Sequence, residues 1–180
     1  MFIQQVFKFK YDFWRYLIGV LIIIIAVIVG QVPLGVAVLL EGGYEMVNMT
    51  QTQMFQLLGS NLSLFLILLS FAAGLGAIFF VVKVLHKQPI KELTTSRKKM
   101  DWGRFFFAFG LVAIFAIATT LVDYYTNPQD YVINFQPKPF FMMLVIAVIM
   151  IPLQTGFEEY LFRGYLMQGI GTLLKTDGLH

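Results

Sequence analysis

The sequence predicts an all-α fold: a polytopic transmembrane helical bundle of about four spans, plus a C-terminal helix that carries the pattern EExxxR. Three observations predict it. The chain is 58% hydrophobic and only 13% charged, and its mean hydropathy is +0.77, whereas soluble domains carry roughly twice that charge. Four apolar stretches reach or approach the length needed to cross a bilayer. The charges between these stretches alternate in sign along the chain.

The same numbers exclude other classes. Ten acidic and thirteen basic residues in 180 positions would cover the surface of a water-borne globule poorly. Disorder needs low hydrophobicity and high net charge, and the chain has neither. The absence of cysteine removes disulfide scaffolds, Cys-ligated zinc and a thiol nucleophile.

The first span runs from Leu17 to Leu40 without a charge. It is too long for the apolar region of a signal peptide, and no A-x-A-like site follows, so it reads as a retained anchor. Pro33 near its end is a candidate kink. The second span covers Leu62 to Val82. Within it Ala72, Ala73, Gly74, Gly76 and Ala77 form a small-residue patch that lets helix backbones approach closely. The third span is Phe105 to Val122. The fourth starts at Phe140 and is cleanly apolar only to Leu153, too short to cross alone. It spans if the helix continues to Phe162, with the C-terminal helix reaching about residue 174. The chain thus reads as a single membrane domain over 1–180.

Charge sets the orientation. The tail 1–16 holds Lys8, Lys10 and Arg15 against Asp12, whereas loop 41–60 holds only Glu41 and Glu45. Loop 83–104 holds seven basic residues against Glu92 and Asp101, and loop 123–139 has Asp123, Asp130 and Lys138. The positive-inside rule puts the N-terminus and loop 83–104 in the cytoplasm. Phe13, Trp14, Tyr16, Trp102, Tyr124 and Tyr125 sit at the span ends, where amphipathic aromatics favour the headgroup level. Pro128, Pro137 and Pro139 punctuate the outer loop. The lipid bilayer is the expected partner. The basic loop needs no nucleic acid to explain it, because topology already does. Asn48-Met-Thr50 fits a glycosylation sequon of a kind common by chance.

The chemistry-bearing residues follow Leu153. Glu158 and Glu159 stand side by side with apolar sequence on both sides, and Arg163 comes four residues after Glu159. Ionisable residues at membrane depth are costly and mark candidate functional sites. Two local structures are open. The helix either continues through the pair, or breaks at Pro152 and Gly156 and restarts near Phe157 with the carboxylates in its first turn. In either, Glu159 and Arg163 are i,i+4 and can pair. Glu158 points about 100° away, which leaves it for another partner and able to act as a general base on water. A solvated helix start near the membrane surface is the plain alternative.

The string Glu158-Glu159-Tyr-Leu-Phe-Arg163-Gly-Tyr-Leu-Met-Gln resembles the first motif of the CPBP family, the CAAX-prenyl-protease-like or Abi intramembrane endopeptidases. The upstream plan of an anchor, a second span and a basic loop is similar to bacterial members. The resemblance implies a membrane protease that cuts peptide or prenylated-peptide substrates in the inner (plasma) membrane. It implies Glu158 as the general base and Glu159 with Arg163 as the supporting pair. No cofactor is assigned; a divalent metal enters through the resemblance alone.

The family's later motifs, FxxxH and HxxxN or similar, have no counterpart. The two histidines are His86, expected as a solvated residue of the basic loop, and His180, expected to be incidental. The 180-residue chain is therefore expected to be inactive and to be a fragment of a longer protease. The alternatives are a non-catalytic scaffold or immunity-type membrane protein, or a small transporter or channel subunit.

Overall fold

The computed structural model describes residues 12–43, 49–94, 101–132 and 134–176. Among them there are helices and turns and no strand, so the all-α expectation holds. The helices are α1 (Phe13–Gly42), α2 (Gln51–Leu58), α3 (Ser60–Val84), α4 (Ile90–Thr94), α5 (Trp102–Thr126), α6 (Pro137–Glu159) and α7 (Met167–Thr176). A π-helical segment, Tyr160–Leu166, joins α6 to α7 without a break. Four of the helical stretches are long and apolar enough to cross a membrane: Phe13–Gly42, Ser60–Val84, Trp102–Thr126 and Pro137–Thr172. The chain is a multi-pass membrane protein. Each helix overruns its apolar run by a few residues at both ends, because backbone hydrogen bonding continues into the interfacial residues.

The chain divides into two units. One comprises Met1–Ser96 and Lys138–His180, the other Arg97–Pro137. In the first unit α1 and α3 lie against each other over most of their length. Their close approach depends on absent side chains. A Cβ on Gly30 would lie 2.8 Å from Ser70 Cα and 2.9 Å from Ala73 Cβ, so only glycine admits this crossing. The predicted small-residue patch is therefore part of the α1–α3 contact. Around it Ile23, Leu75, Ile78, Val81 and Val82 form the core, joined by Leu93, Phe157 and Tyr165.

Two local findings depart from a bare loop 41–60 and a fully solvated loop 83–104. Helix α2 forms inside the first. Thr50 caps it, its backbone N–H donating to Gln53 Oε1 at 2.7 Å while Gln53 N–H donates to Thr50 Oγ1 at 3.4 Å. This reciprocal pair satisfies two donors at the helix start. Helix α4 forms inside the second and buries Leu93 to 2% exposure. Pro33 and Pro152 stand within α1 and α6, which run through them. Pro137 opens α6 instead of stopping a helix, since proline suits a first turn whose N–H groups have no intrahelical partner.

The second unit is α5 and a short 3₁₀ turn, Pro128–Asp130. Asp101 caps α5 by accepting from Arg104 N–H at 3.2 Å. Trp102, Phe105 and Phe106 cluster at one end of α5, with ring centroids 5.4–6.1 Å apart. At the other end Tyr131 donates its hydroxyl to Asp123 Oδ2 at 2.6 Å. Lys8, Lys10, Glu45, Asn48, Arg97, Lys98, Lys99 and His180 lie outside the described residues.

Candidate functional site

The helix does not break at Pro152 or Gly156. Glu158 and Glu159 are the last residues of α6, and the π segment begins at the next residue. Arg163 Nη1 meets Glu159 Oε2 at 3.0 Å. Glu158 accepts from Gln154 Nε2 at 3.3 Å. The spacing argument thus holds in its main part: Arg163 pairs with Glu159 and not with Glu158. The other carboxylate has an amide of its own helix, not a cation, beside it. Both carboxylates are exposed, whereas Phe157 just before them is buried.

Phe157 fixes their level. Its ring lies against Gly74, where an added Cβ would come 2.5 Å from Phe157 Cε2, and edge-on to Phe71 at 5.8 Å between centroids. Gly74 is close to the middle of α3, a span of 25 residues. The next ring, Tyr160, meets Phe79 edge-on at 5.1 Å, so the carboxylates between Phe157 and Tyr160 stand between the levels of Gly74 and Phe79, about 8–15 Å in from the Val84 end of α3 at 1.5 Å per residue. This is the depth at which an ionisable group is expensive.

The π segment is anchored two residues beyond Arg163. Tyr165 is 1% exposed, and its hydroxyl meets His86 Nε2 at 3.0 Å. Here the sequence expectation is corrected. His86 is not a solvated loop residue: it is 1% exposed, its ring lying 4.3 Å from that of Tyr16 and 5.5 Å from that of Tyr165. The cause is the turn that follows α3. Lys87 adopts φ +54°, and Gln88 N–H reaches back to Val82 O at 3.0 Å. The turn folds His86 and Gln88 onto the helix end. Arg15 closes the side, donating from Nη1 to Leu85 O at 3.1 Å and from Nε to Asp12 Oδ2 at 2.7 Å. Gly164 allows the π segment to meet α4, since a Cβ there would lie 3.1 Å from Leu93 Cγ. His86, Tyr165, Tyr16 and Leu93 were not visible as a group in the sequence. The one available signal was the extension of EExxxR by Gly164-Tyr165.

The residues present do not make a metal site. Among the described residues no group of three or more His, Cys, Asp or Glu is placed to hold an ion, and hydrolytic zinc needs three protein ligands. Glu159 is engaged by Arg163 and His86 by Tyr165. This donor set supports no metal-dependent step.

Comparison with known proteins yields one match of note. Over 100 residues the chain is 34% identical to the uncharacterized protein YyaK of Bacillus subtilis (strain 168); the match covers 55% of this chain and 33% of that protein. The chain thus aligns with about a third of the length of the curated relative. No family profile matches it, and no solved structure matches it.

Proposed function

We propose that the chain is a membrane-embedded part of a CPBP-type intramembrane endopeptidase in which Glu158 is the general base. The observation that carries the reading is the unequal environment of two adjacent carboxylates at the end of a membrane-spanning helix: Glu159 is ion-paired to Arg163, whereas Glu158 has only the Gln154 amide. A base must keep its lone pairs available to water, and a carboxylate held by a guanidinium is a poorer acceptor. In the proposed reaction Glu158 takes a proton from water as the oxygen attacks a scissile peptide carbonyl, and returns it to the leaving amine. The oxyanion needs donors, which in this family are histidine and asparagine on later helices. The substrate is a peptide or a prenylated peptide brought to the membrane. The basic residues of the tail and of loop 83–104 support a cytoplasmic N-terminus, and the resemblance to the family supports the plasma membrane.

The test begins with the gene. The hundred or so codons after His180, read in all frames, should encode FxxxH and HxxxN. The longer product, purified into liposomes, should hydrolyse peptide and lose that activity in Glu158→Gln. Turnover that survives Glu158→Gln, in either the long or the 180-residue chain, would refute the assignment. A second reading, a non-catalytic membrane scaffold, is favoured by the incomplete donor set around Glu158; absence of both motifs downstream would establish it over the protease.

A further inference from the structure

One buried titratable group takes no part in the proposed chemistry. His86 lies in the turn after α3, on a different element from the carboxylates, and is 1% exposed. Burying an imidazole is unfavourable unless its polar atoms are satisfied. The turn that buries it also contains a left-handed non-glycine residue, Lys87 at φ +54°. Such backbone persists where the surroundings over-determine it. The π segment is a second departure from regular geometry; π turns are rare and cluster at functional sites. The two irregular elements meet at the hydrogen bond between His86 Nε2 and Tyr165 Oη, 3.0 Å long.

The surroundings leave Tyr165 little freedom. Tyr16 of α1 flanks its ring at 5.0 Å between centroids. A Cβ on Gly19 would collide with its hydroxyl. Tyr165 is two residues from Arg163 in the same π segment. The position of Tyr165 therefore sets where that segment, and the end of α6 that leads into it, stands against α3.

We infer that His86 is a positioning residue: by holding Tyr165 it fixes the π segment, and with it the carboxylates that immediately precede the segment, against the end of α3. The importance of this for a reaction rests on the reading of Glu158 as the base. The holding itself does not, and the test is chosen to separate the two.

The native chain has no cysteine, so introduced thiols are the only labelling sites. Nitroxides at Val84→Cys and Phe162→Cys, both exposed, report the distance between the end of α3 and the π segment in lipid bilayers. A reference pair at Val36→Cys and Leu62→Cys reports α1 against α3. His86→Leu and Tyr165→Phe should each lose the narrow 84–162 distance, and the double variant should lose no more than either single. His86→Gln should retain it, because the glutamine amide reaches the place of Nε2, while the shorter His86→Asn should not. The 36–62 distance should be unchanged throughout. The inference is overturned if the 84–162 distance survives in the double variant, if His86→Gln behaves as His86→Leu, or if the reference pair moves with it, which would make the bond a general stability contact. No peptide is turned over in this experiment, so a failed peptidase assay leaves its outcome untouched.

Discussion

Substituting Gly74 tests whether the carboxylates owe their depth to the seat of Phe157 on α3. A Cβ at this position would lie 2.5 and 2.8 Å from Phe157 Cε2 and Cδ2 and 2.8 Å from Val27 Cγ2. Carbon atoms rest at about 3.5–4.0 Å, so Gly74→Ala requires the ring to retreat by about 1 Å from a packed site. Overpacking of this kind costs about 1–3 kcal/mol. Alanine returns about 0.8–1.0 kcal/mol through helix propensity, which leaves a modest net loss. Gly76 is the internal control: nothing lies within 4 Å of a Cβ there, so Gly76→Ala keeps only the gain. The two variants should therefore differ by the whole overpacking cost, about 1–3 kcal/mol. Loss of helical circular dichroism on titrating detergent-solubilised protein with dodecyl sulfate measures this difference. Shortening the ring in Gly74→Ala/Phe157→Leu should recover part of the penalty, as contacting residues couple. Equal midpoints for Gly74→Ala and Gly76→Ala would refute the docking of α6 on α3 at this point and, with it, the depth assigned to Glu158.

Other predictions follow from the same geometry. Glu159→Gln strands Arg163, which stands two residues before Tyr165 and so close to the level of the α3 end; the loss should be near that of a water-bathed i,i+4 pair, about 0.3–0.5 kcal/mol, and an unfolding midpoint showing more than about 2 kcal/mol would place the pair at lipid depth instead. Thr50→Ala removes the capping box of α2 and should weaken that helix by about 0.5–2 kcal/mol, seen as faster amide exchange over residues 51–54 with the exchange of α3 unchanged. Acceptance of its hydroxyl hydrogen bond by Asp123 holds the Tyr131 phenol above its ordinary 10.0. The contact therefore stabilises fully below pH 10 and is lost as pH rises through the raised value, and ultraviolet titration of Asp123→Asn should show one tyrosine ionising earlier. Reporter fusions after residues 96 and 130 should be active on opposite sides of the membrane, the former in the cytoplasm.

How much of this was legible in the sequence depends on how local each cause is. The spans were legible because bilayer thickness sets a length and apolar composition meets it. The Glu159–Arg163 pair was legible because i,i+4 spacing brings the two together whatever surrounds them. Helix α2 was legible in principle from Thr50-x-x-Gln53, although the sparse charge of loop 41–60 is the stronger signal there and speaks only to topology. The burial of His86 was not legible. It depends on a left-handed lysine, on a glutamine reaching back to α3 and on a tyrosine 79 residues away. The π segment was hidden too, because no residue type marks a π turn and the contacts of Gly164 and Tyr165 with Leu93 and His86 decide the geometry.

The unbroken course from α6 to α7 has a consequence of its own. The stretch Pro137–Thr172 counts 36 residues, about 54 Å at the rise of an α-helix, against a hydrocarbon layer of about 30 Å. A rod of that length cannot lie wholly in the bilayer. With Phe157 level with mid-α3, the surplus falls on the α7 side, where Gly169 packs on Tyr16 of α1 and Gln168 and Thr172 are buried. The start of α7 is thus held against α1 about two turns from the carboxylates, so whatever displaces α7 pulls on the π segment and on Tyr16 together and gains mechanical access to the charges beyond.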